Sequence, residues 1–179
     1  MNIEKQVEDI IQNIDSSSVE RLKKTPHRVA RAYDEFFNGY STDLSKIMSS
    51  YFESEMDDLV ILKNISFESQ CEHHLVPIVG FVSVGYIPNN KVIGISKLAR
   101  IVDCFAHRLQ LQERMTMEIA AALQEGINPK GVGVYVEAKH YCISHRGVKK
   151  RESSMVTRYF TGEMKNNEIK RREFLDSLK

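Results

Sequence analysis

Apolar residues recur at steps of three and four positions at the start of the chain, a spacing that predicts amphipathic helices. The first such stripe consists of Ile3, Val7, Ile10, Ile11 and Ile14. Residues 15–18 read Asp-Ser-Ser-Ser and break the stripe, and side chains of these types are good helix caps. A second helix is predicted to start with Thr25 as N-cap and Pro26 in the first helical position, and to end at Asn38-Gly39.

The apolar pattern changes to a period of two in the middle of the chain, which is typical of strands. We predict strands over residues 59–67, 76–87, 131–142 and 154–161. Between the second and third strands, apolar stripes predict two helices, the first capped by Ser96 and the second ending near Gly126. The charged tail from Lys165 predicts a last helix. This order of elements predicts an α+β fold with an antiparallel sheet.

The charge balance and the cysteine count argue against several classes of protein. Lys and Arg total 25 against 24 Asp and Glu, and a net charge of +1 disfavours nucleic-acid binding. No apolar run approaches the ~18 residues of a membrane span, and the acidic first residues lack a signal-peptide core. We therefore expect a cytoplasmic protein with neither a membrane nor a nucleic-acid partner. Three cysteines in a reducing compartment favour metal-binding or catalytic thiolates over disulfides, although Cys104, on an apolar helix, is interpreted as packing.

The other two cysteines lie in clusters with histidine. These clusters are Cys71-Glu72-His73-His74, just before a predicted strand, and His140-Tyr141-Cys142, at the end of one. The spacing of Cys71 and His74 lets a turn present both side chains to one ion. Two-residue alternation places His140 and Cys142 on one strand face. Two thiolates and an imidazole favour zinc as the ion.

A zinc site of this kind is catalytic if it keeps an open position. With Cys71, His74 and Cys142 as ligands, a fourth position would remain for water, whose pKa zinc lowers to about 7. His73 and His140 would then be free imidazoles beside the metal, and they would suit proton transfer.

A closed structural site is the alternative. His145 repeats the Cys-x-x-His spacing after Cys142, so a Cys2His2 zinc site is formally possible. In an extended strand, however, His145 would fall on the face opposite Cys142. The closed site would also leave the two remaining histidines of the clusters without a task.

Several residues point to an anionic purine substrate. Ser96, Lys97 and Arg100 lie in the first turns of a predicted helix, where free amides and the positive dipole end favour phosphate. The pair Gln112-Glu113 matches the edge of guanine, because a carboxylate can accept hydrogen bonds from N1 and the 2-amino group together. Further cations that could face phosphate are Arg28, Arg31 and Arg146.

These residues fall in blocks that resemble the signature sequences of the GTP cyclohydrolase I family. The central blocks are Cys71-Glu72-His73-His74, Gly85-Tyr86-Ile87-Pro88, Val92-Ile93-Gly94-Ile95-Ser96-Lys97-Leu98-Ala99-Arg100-Ile101-Val102, Gln112-Glu113-Arg114, His140-Tyr141-Cys142 and Arg146-Gly147. The terminal blocks are Thr25-Pro26-His27-Arg28-Val29-Ala30 and Arg172-Glu173-Phe174-Leu175. The similarity covers roughly residues 19–176 in the right order.

The resemblance implies the tunnelling fold, an antiparallel four-stranded sheet with two helices between its second and third strands. We expect residues 1–50 to form an N-terminal helical segment and residues 51–179 to form the catalytic domain. The resemblance also implies that subunit sheets join into a barrel, within a homodecamer of two pentamers whose sites lie at subunit interfaces. The implied reaction converts GTP and water to 7,8-dihydroneopterin triphosphate and formate, the first step of folate or tetrahydrobiopterin synthesis.

The resemblance also implies a role for each matching residue. The zinc ligands would be Cys71, His74 and Cys142. The residues that move protons would be His73 and His140. Guanine would be bound by Gln112 and Glu113. The ribose and triphosphate would face Ser96, Lys97, Arg100, Arg28, Arg31 and Arg146.

The chain departs from the family pattern at three places. The acidic, proline-containing stretch that often precedes the N-terminal block is replaced by residues 14–22, Arg31 stands where Lys is common, and His145 stands where many members carry a small or apolar residue.

Two rival functions remain. A nitrile-reducing relative would need a thiol nucleophile and a nicotinamide-binding pattern, and it would not need the zinc set. A zinc-stapled scaffold protein would need neither the free histidines nor the Gln-Glu pair.

Overall fold

The computed structural model describes residues 3–179. The chain divides by compactness into two units, the first ending at Asn38 and the second running from Gly39 to Lys179. The sequence-based boundary was placed at residue 50. Among residues 3–179, no helix combines the length and apolar character needed to cross a membrane.

The first unit contains the two predicted helices, α1 (Ile3–Ile14) and α2 (Thr25–Phe36), with a short 3₁₀ turn between them. Asp15 caps that turn by accepting a hydrogen bond from the Ser17 amide at 3.2 Å. The predicted cap of α2 is wrong by one residue. Lys24 occupies the N-cap, and its side chain makes no capping hydrogen bond. Pro26 in the first turn already has a helical φ angle, and it carries no N–H group that a cap would have to satisfy.

The second unit consists of strands and helices with the bounds α3 (Leu44–Met48), β1 (Tyr51–Glu53), β2 (Val60–Cys71), β3 (Pro77–Ile87), β4 (Lys91–Ile93), α4 (Ile95–Ala106), β5 (Leu109–Gln110), α5 (Gln112–Ile127), β6 (Gly131–His140), α6 (Tyr141–Ser144), β7 (Met155–Phe160), α7 (Gly162–Asn166) and α8 (Glu168–Asp176). The predicted α+β class is therefore confirmed. The short elements α3, β1, β4 and β5 were not predicted, since two to five residues carry too little periodicity to be recognised.

The main sheet has the strand order β5-β2-β3-β6-β7. Strands β2, β3, β6 and β7 pair antiparallel, and β5 adds a two-residue parallel pairing at the end of β2. The strands β1 and β4 form a separate pair. Helices α4 and α5 lie between the second and third long strands in sequence, as predicted, and pack on one face of the sheet.

Alternation along the strands builds the main core. Val82 and Val84 of β3 and Val134 and Val136 of β6 are completely buried, and they pack in one cluster with the apolar stripes of α4 and α5. Each such side chain contributes about 1.5–3 kcal/mol when it is removed from water. This packing fixes the register in which the strands pair, and with it the positions of the residues at the ends of the sheet.

Two further predicted helix ends differ from the structure. Gly94, not Ser96, is the N-cap of α4, so Ser96 lies inside the first turn with its side chain exposed. Helix α5 continues past Gly126 and ends where Asn128 adopts a left-handed conformation with φ of 48°. Asparagine tolerates this conformation better than most residues, and for that reason it can take the place usually given to glycine.

A second, smaller core covers part of the opposite sheet face. It is centred on Ile87, Met164 and Phe174 and brings α7 and α8 against the strands. Gly85 makes room for this packing, since a Cβ atom added there would lie 2.6 Å from the ring of Phe174.

We expect Gly85→Ala to lower the free energy of unfolding by about 1–3 kcal/mol, the usual cost of overpacking. Denaturant unfolding of the variant measures this loss. In a double-mutant cycle with Phe174→Leu, the Gly85→Ala cost should shrink, because the clashing ring is gone. Strict additivity of the two substitutions would contradict the proposed contact.

Candidate active site

Three donor side chains from two distant parts of the sequence meet at one end of the sheet. Cys71 ends β2, His74 lies in the turn that follows, and Cys142 lies in α6, just after β6. Their sulfur and ring nitrogen atoms all lie within 4.8 Å of one another, with Cys71 Sγ at 3.9 Å from His74 Nδ1. Two sulfurs and an imidazole nitrogen at this separation could hold a metal ion.

Backbone hydrogen bonds shape the turn that presents the first two donors. The amides of His74 and Leu75 donate to the Cys71 carbonyl at 3.3 and 2.9 Å, and the Cys71 amide donates to the Val76 carbonyl at 2.9 Å. Leu75 has a positive φ of 54°, which lets the chain reverse within a few residues. The three-residue spacing between Cys71 and His74 therefore brings both side chains to one point.

The third donor arrives by a route that the sequence did not predict. The strand was expected to run to Cys142, but β6 ends at His140 and the next residues form the helical turn α6. Antiparallel pairing places His140 opposite Ile78 of β3, so α6 begins beside the Cys71 turn. Cys142 reaches the group from this helical turn and not from a shared strand face.

The same helical turn moves His145 away from the position assumed for an extended strand. Its ring stacks on Tyr141, with centroids 4.4 Å apart and planes at 8°. Its Nδ1 lies 2.8 Å from the hydroxyl of Ser144. Within residues 3–179, the group whose donor atoms lie close enough together to share one metal ion consists of Cys71, His74 and Cys142 and does not include His145.

The electrostatics of the two thiols suit a cation between them. Burial raises the pKa of the Cys142 thiol, and the neighbouring Cys71 raises it further. Two sulfurs this close would repel each other as thiolates, and for this reason the neighbouring Cys71 favours the protonated form of Cys142. A metal ion reverses that preference by displacing the protons and pairing with the thiolates. The residues present therefore fit a metal ion.

His73 and His140 flank the donor group in different environments. The side chain of His73 is 63% exposed, and its Nε2 lies 3.9 Å from a carboxylate oxygen of Glu72. His140 is half-buried, and its Nε2 lies 2.7 Å from Oε1 of Gln112. Burial lowers the pKa of His140, and the carboxylate of Glu113 opposes that shift.

Glu72 and Arg114 form a support for the turn that sequence reasoning missed. Arg114 Nη2 donates to Glu72 Oε2 at 2.5 Å and to the Leu109 carbonyl at 3.0 Å, while its Nε donates to Gln110 Oε1 at 3.1 Å. Arg114 was quoted only as part of a motif. Glu72 and Arg114 lie 42 residues apart, and only the pairing of β5 with β2 brings them together, so no sequence spacing could have revealed the contact.

The residues assigned to guanine differ in exposure. Glu113 is exposed in the first turn of α5, whereas Gln112 is 1% exposed. The amide nitrogen of Gln112 donates to Met155 and Val136 carbonyls, at 2.9 and 3.2 Å. The structure therefore places the buried Gln112 side chain against the strands and His140.

The residues assigned to ribose and triphosphate lie in three places. Arg146 is beside the donor group, with Nη1 at 3.0 Å from Nε2 of His74. Ser96, Lys97 and Arg100 are at the start of α4, while the end of α4 leads into β5 beside Cys71. A helical rise of ~1.5 Å per residue puts Ser96 ~15 Å along the helix axis from that end. Arg28 and Arg31 are exposed on α2 of the first unit.

Known proteins resemble this chain in both sequence and structure. The model of the family described as GTP cyclohydrolase I matches residues 3–179. GTP cyclohydrolase 1 of Pelagibacter ubique is 49% identical over 152 residues, which span 84% of this chain and 75% of that protein. GTP cyclohydrolase 1 of Leptospira biflexa serovar Patoc is 45% identical over 179 residues, spanning 99% and 98%.

The apo crystal structure of the archaeosine synthase QueF-Like superposes with a TM-score of 0.50 at 25% identity, covering 59% of this chain and 94% of that one. This likeness agrees with the predicted tunnelling fold. The match of the family model over residues 3–179, together with relatives that share nearly half of its residues along most of its length, makes the chain a member of the GTP cyclohydrolase I family.

Proposed function

We propose that this chain hydrolyses and rearranges GTP to 7,8-dihydroneopterin triphosphate and formate, the first step of pterin synthesis. The observation that carries the proposal is the meeting of Cys71, His74 and Cys142 at one point, with His73 and His140 beside them. Hydrolysis of a ring carbon–nitrogen bond needs activated water and groups that move protons, and this arrangement offers both.

The metal in this proposal is zinc, held by Cys71, His74 and Cys142. Two soft sulfur donors and an imidazole match its tetrahedral preference, and three protein ligands are typical of catalytic zinc. When bound, zinc would supply Lewis-acid activation of water at neutral pH. The free cysteines fit a reducing, cytoplasmic location, in which thiol ligands are not lost to disulfides.

The two histidines outside the proposed ligand set, His73 and His140, are proposed to transfer different protons. His73, exposed at the tip of the turn, would donate to N7 of the purine while the imidazole ring opens. His140 would move protons in the later steps, during release of formate and rearrangement of the ribose. Its half-buried position at the end of β6 keeps it next to Cys142, and hence beside the same reacting region.

We propose that a complete site is shared between subunits, as the family resemblance implies. In that arrangement Ser96, Lys97 and Arg100, at the start of α4, would face the triphosphate at the site of a neighbouring subunit. Arg146 beside His74 would contact the phosphates from the same chain, and Arg28 and Arg31 are proposed as further phosphate contacts. This arrangement is consistent with the expected homodecamer, in which residues 51–179 form the catalytic part.

Incubation of the pure protein with GTP tests the activity directly. Formate release and the appearance of pterin absorbance are expected, and chelation of the metal should abolish both. A zinc-stapled scaffold would bind the metal and yield neither product. The exposure of His73 and the position of His140 beside the donor group favour the enzyme.

We expect Glu113→Gln to weaken the binding of GTP far more than the binding of ITP, which lacks the 2-amino group. Loss of a charged hydrogen bond of about 1.5–3 kcal/mol corresponds to about ten- to a hundred-fold in affinity. Binding of both nucleotides is measured by competition. Glu125→Gln, near the other end of α5, serves as the matched control and should change neither affinity. Equal losses for GTP and ITP in Glu113→Gln would mean that Glu113 does not read the exocyclic amine.

A further inference from the structure

Gln112 holds a buried position between α5 and two strands. Its amide nitrogen has three neighbours that can accept a hydrogen bond: the Met155 carbonyl at 2.9 Å, the Thr157 hydroxyl at 3.1 Å and the Val136 carbonyl at 3.2 Å. Its amide oxygen lies 2.7 Å from Nε2 of His140. A buried polar side chain with this many partners has one favoured orientation, since any other orientation leaves polar atoms unpaired.

The partners determine which end of the amide faces His140. Carbonyl oxygens can only accept hydrogen bonds, so a flipped amide would set its own oxygen against the carbonyls of Val136 and Met155. Those oxygen–oxygen contacts would be repulsive, and the amide hydrogens would lose the carbonyl acceptors of Val136 and Met155. The oxygen of Gln112 must therefore point at His140.

A chain of hydroxyl groups leads independently to the same orientation. Thr116 donates its only hydroxyl hydrogen to the backbone carbonyl of Gln112 at 2.6 Å. The hydroxyls of Thr116 and Thr157 lie 2.7 Å apart, so Thr157 must be the donor in that pair. Thr157 then has only a lone pair left for Gln112, and only the N–H end of the amide can bond to it.

We propose that Gln112 is a positioning residue for His140. Its oxygen accepts a hydrogen bond from Nε2–H, which fixes the ring and leaves Nδ1 as the nitrogen that exchanges protons with the substrate. The inference rests on the proposed function, in which His140 transfers protons. It also gives the Gln112 side chain a task other than binding guanine.

Gln112→Met tests this role, because methionine has a similar length and volume but forms no strong hydrogen bonds. Loss of an outer-shell hydrogen-bond partner at a metal site typically costs about 10–100-fold in activity. We expect kcat of Gln112→Met to fall by about that factor, with zinc content and assembly unchanged and KM for GTP within about threefold. Gln124→Met is the matched control. Gln124 lies on the same helix, and its side-chain amide forms hydrogen bonds with the Pro129 carbonyl and the Thr161 hydroxyl and not with His140. The kcat of Gln124→Met should therefore stay near that of the wild type.

A double variant separates positioning from general damage to the core. Gln112→Met combined with His140→Ala should be no slower than His140→Ala alone, because the residue that Gln112 orients is already gone. Should Gln112→Met fail to assemble, Gln112→Asn keeps an amide in the pocket but is too short to reach His140, and the same results are expected of it.

Three outcomes would overturn the proposal. The first is a kcat for Gln112→Met equal to that of Gln124→Met, and the second is a double variant in which the two losses multiply. The third is a rise in KM with unchanged kcat, which would return Gln112 to guanine binding. In each of these cases the wild-type chain still forms pterin from GTP. A wild-type chain without that activity would instead remove the proposed function, and the inference with it.

Discussion

A His73→Ala variant is expected to keep its zinc and its assembly while kcat falls by about 10²–10⁴, the usual contribution of general acid–base catalysis. The structure separates His73 from the donor group. The ring is 63% exposed, and its centroid lies 6.2 Å from that of His74 in an edge-on arrangement. Removing it takes away the proposed proton carrier and leaves the proposed ligands in place. Affinity for GTP should change little, since the proposed triphosphate contacts are untouched.

Measurement of metal content, oligomer size and formate release on the same preparation checks this result. His74→Ala is the informative neighbour, because it should lose the metal. A His73→Ala protein that is zinc-free and dissociated would show that the two histidines have exchanged roles. His140→Ala should also lose turnover, but it is expected to accumulate the ring-opened formamide, which chromatography of the reaction mixture would detect.

Cys142→Ser is expected to remove both the bound zinc, about one ion per wild-type chain, and all measurable turnover. A serine hydroxyl is a harder and far weaker ligand than a thiolate, and the two remaining donors do not make a zinc site. Cys71→Ser and His74→Ala should behave in the same way. Metal analysis after gel filtration, together with the rate of formate release, measures the effect.

Two variants control for general effects of these substitutions. Cys104→Ser changes a buried thiol whose Sγ lies 3.3 Å from a guanidinium nitrogen of Arg108, outside the donor group, and it should retain zinc. His145→Ala should also retain it, because that ring stacks on Tyr141. Loss of zinc from His145→Ala would instead support the closed Cys2His2 site. Full zinc content and wild-type turnover in Cys142→Ser would remove Cys142 from the proposed ligands.

The periodic pattern of the sequence was sufficient to predict the long elements. Strands β2, β3, β6 and β7 and helices α4 and α5 each carry a repeated apolar position, and burial of that repeated face is what stabilises them. Their ends were less predictable. Gly94 begins α4 and Asn128 ends α5 through their backbone conformations. Such conformations depend on the following chain as much as on the residue type.

The sequence also identified Cys71, His74 and Cys142, because Cys and His in close spacing are rare except where they bind metal. The assumed geometry was wrong for Cys142, which lies on a helical turn and not on the strand. A strand continuing to Cys142 and a strand ending at His140 have the same local apolar pattern. Only the pairing of β6 with β3, which ends at His140 opposite Ile78, distinguishes them.

What only the tertiary structure decided is the set of contacts that orient the chemical groups. Gln112 and His140 lie 28 residues apart, and Glu72 and Arg114 lie 42 residues apart. Neither pair follows a helical or strand spacing. Each contact depends on where α5 docks against β6 and β7 and on how β5 pairs with β2. Residue type and local pattern therefore determined which groups are proposed to carry the chemistry of this protein, whereas long-range packing decided how those groups are held, because hydrogen-bond direction is set by the three-dimensional position of both partners.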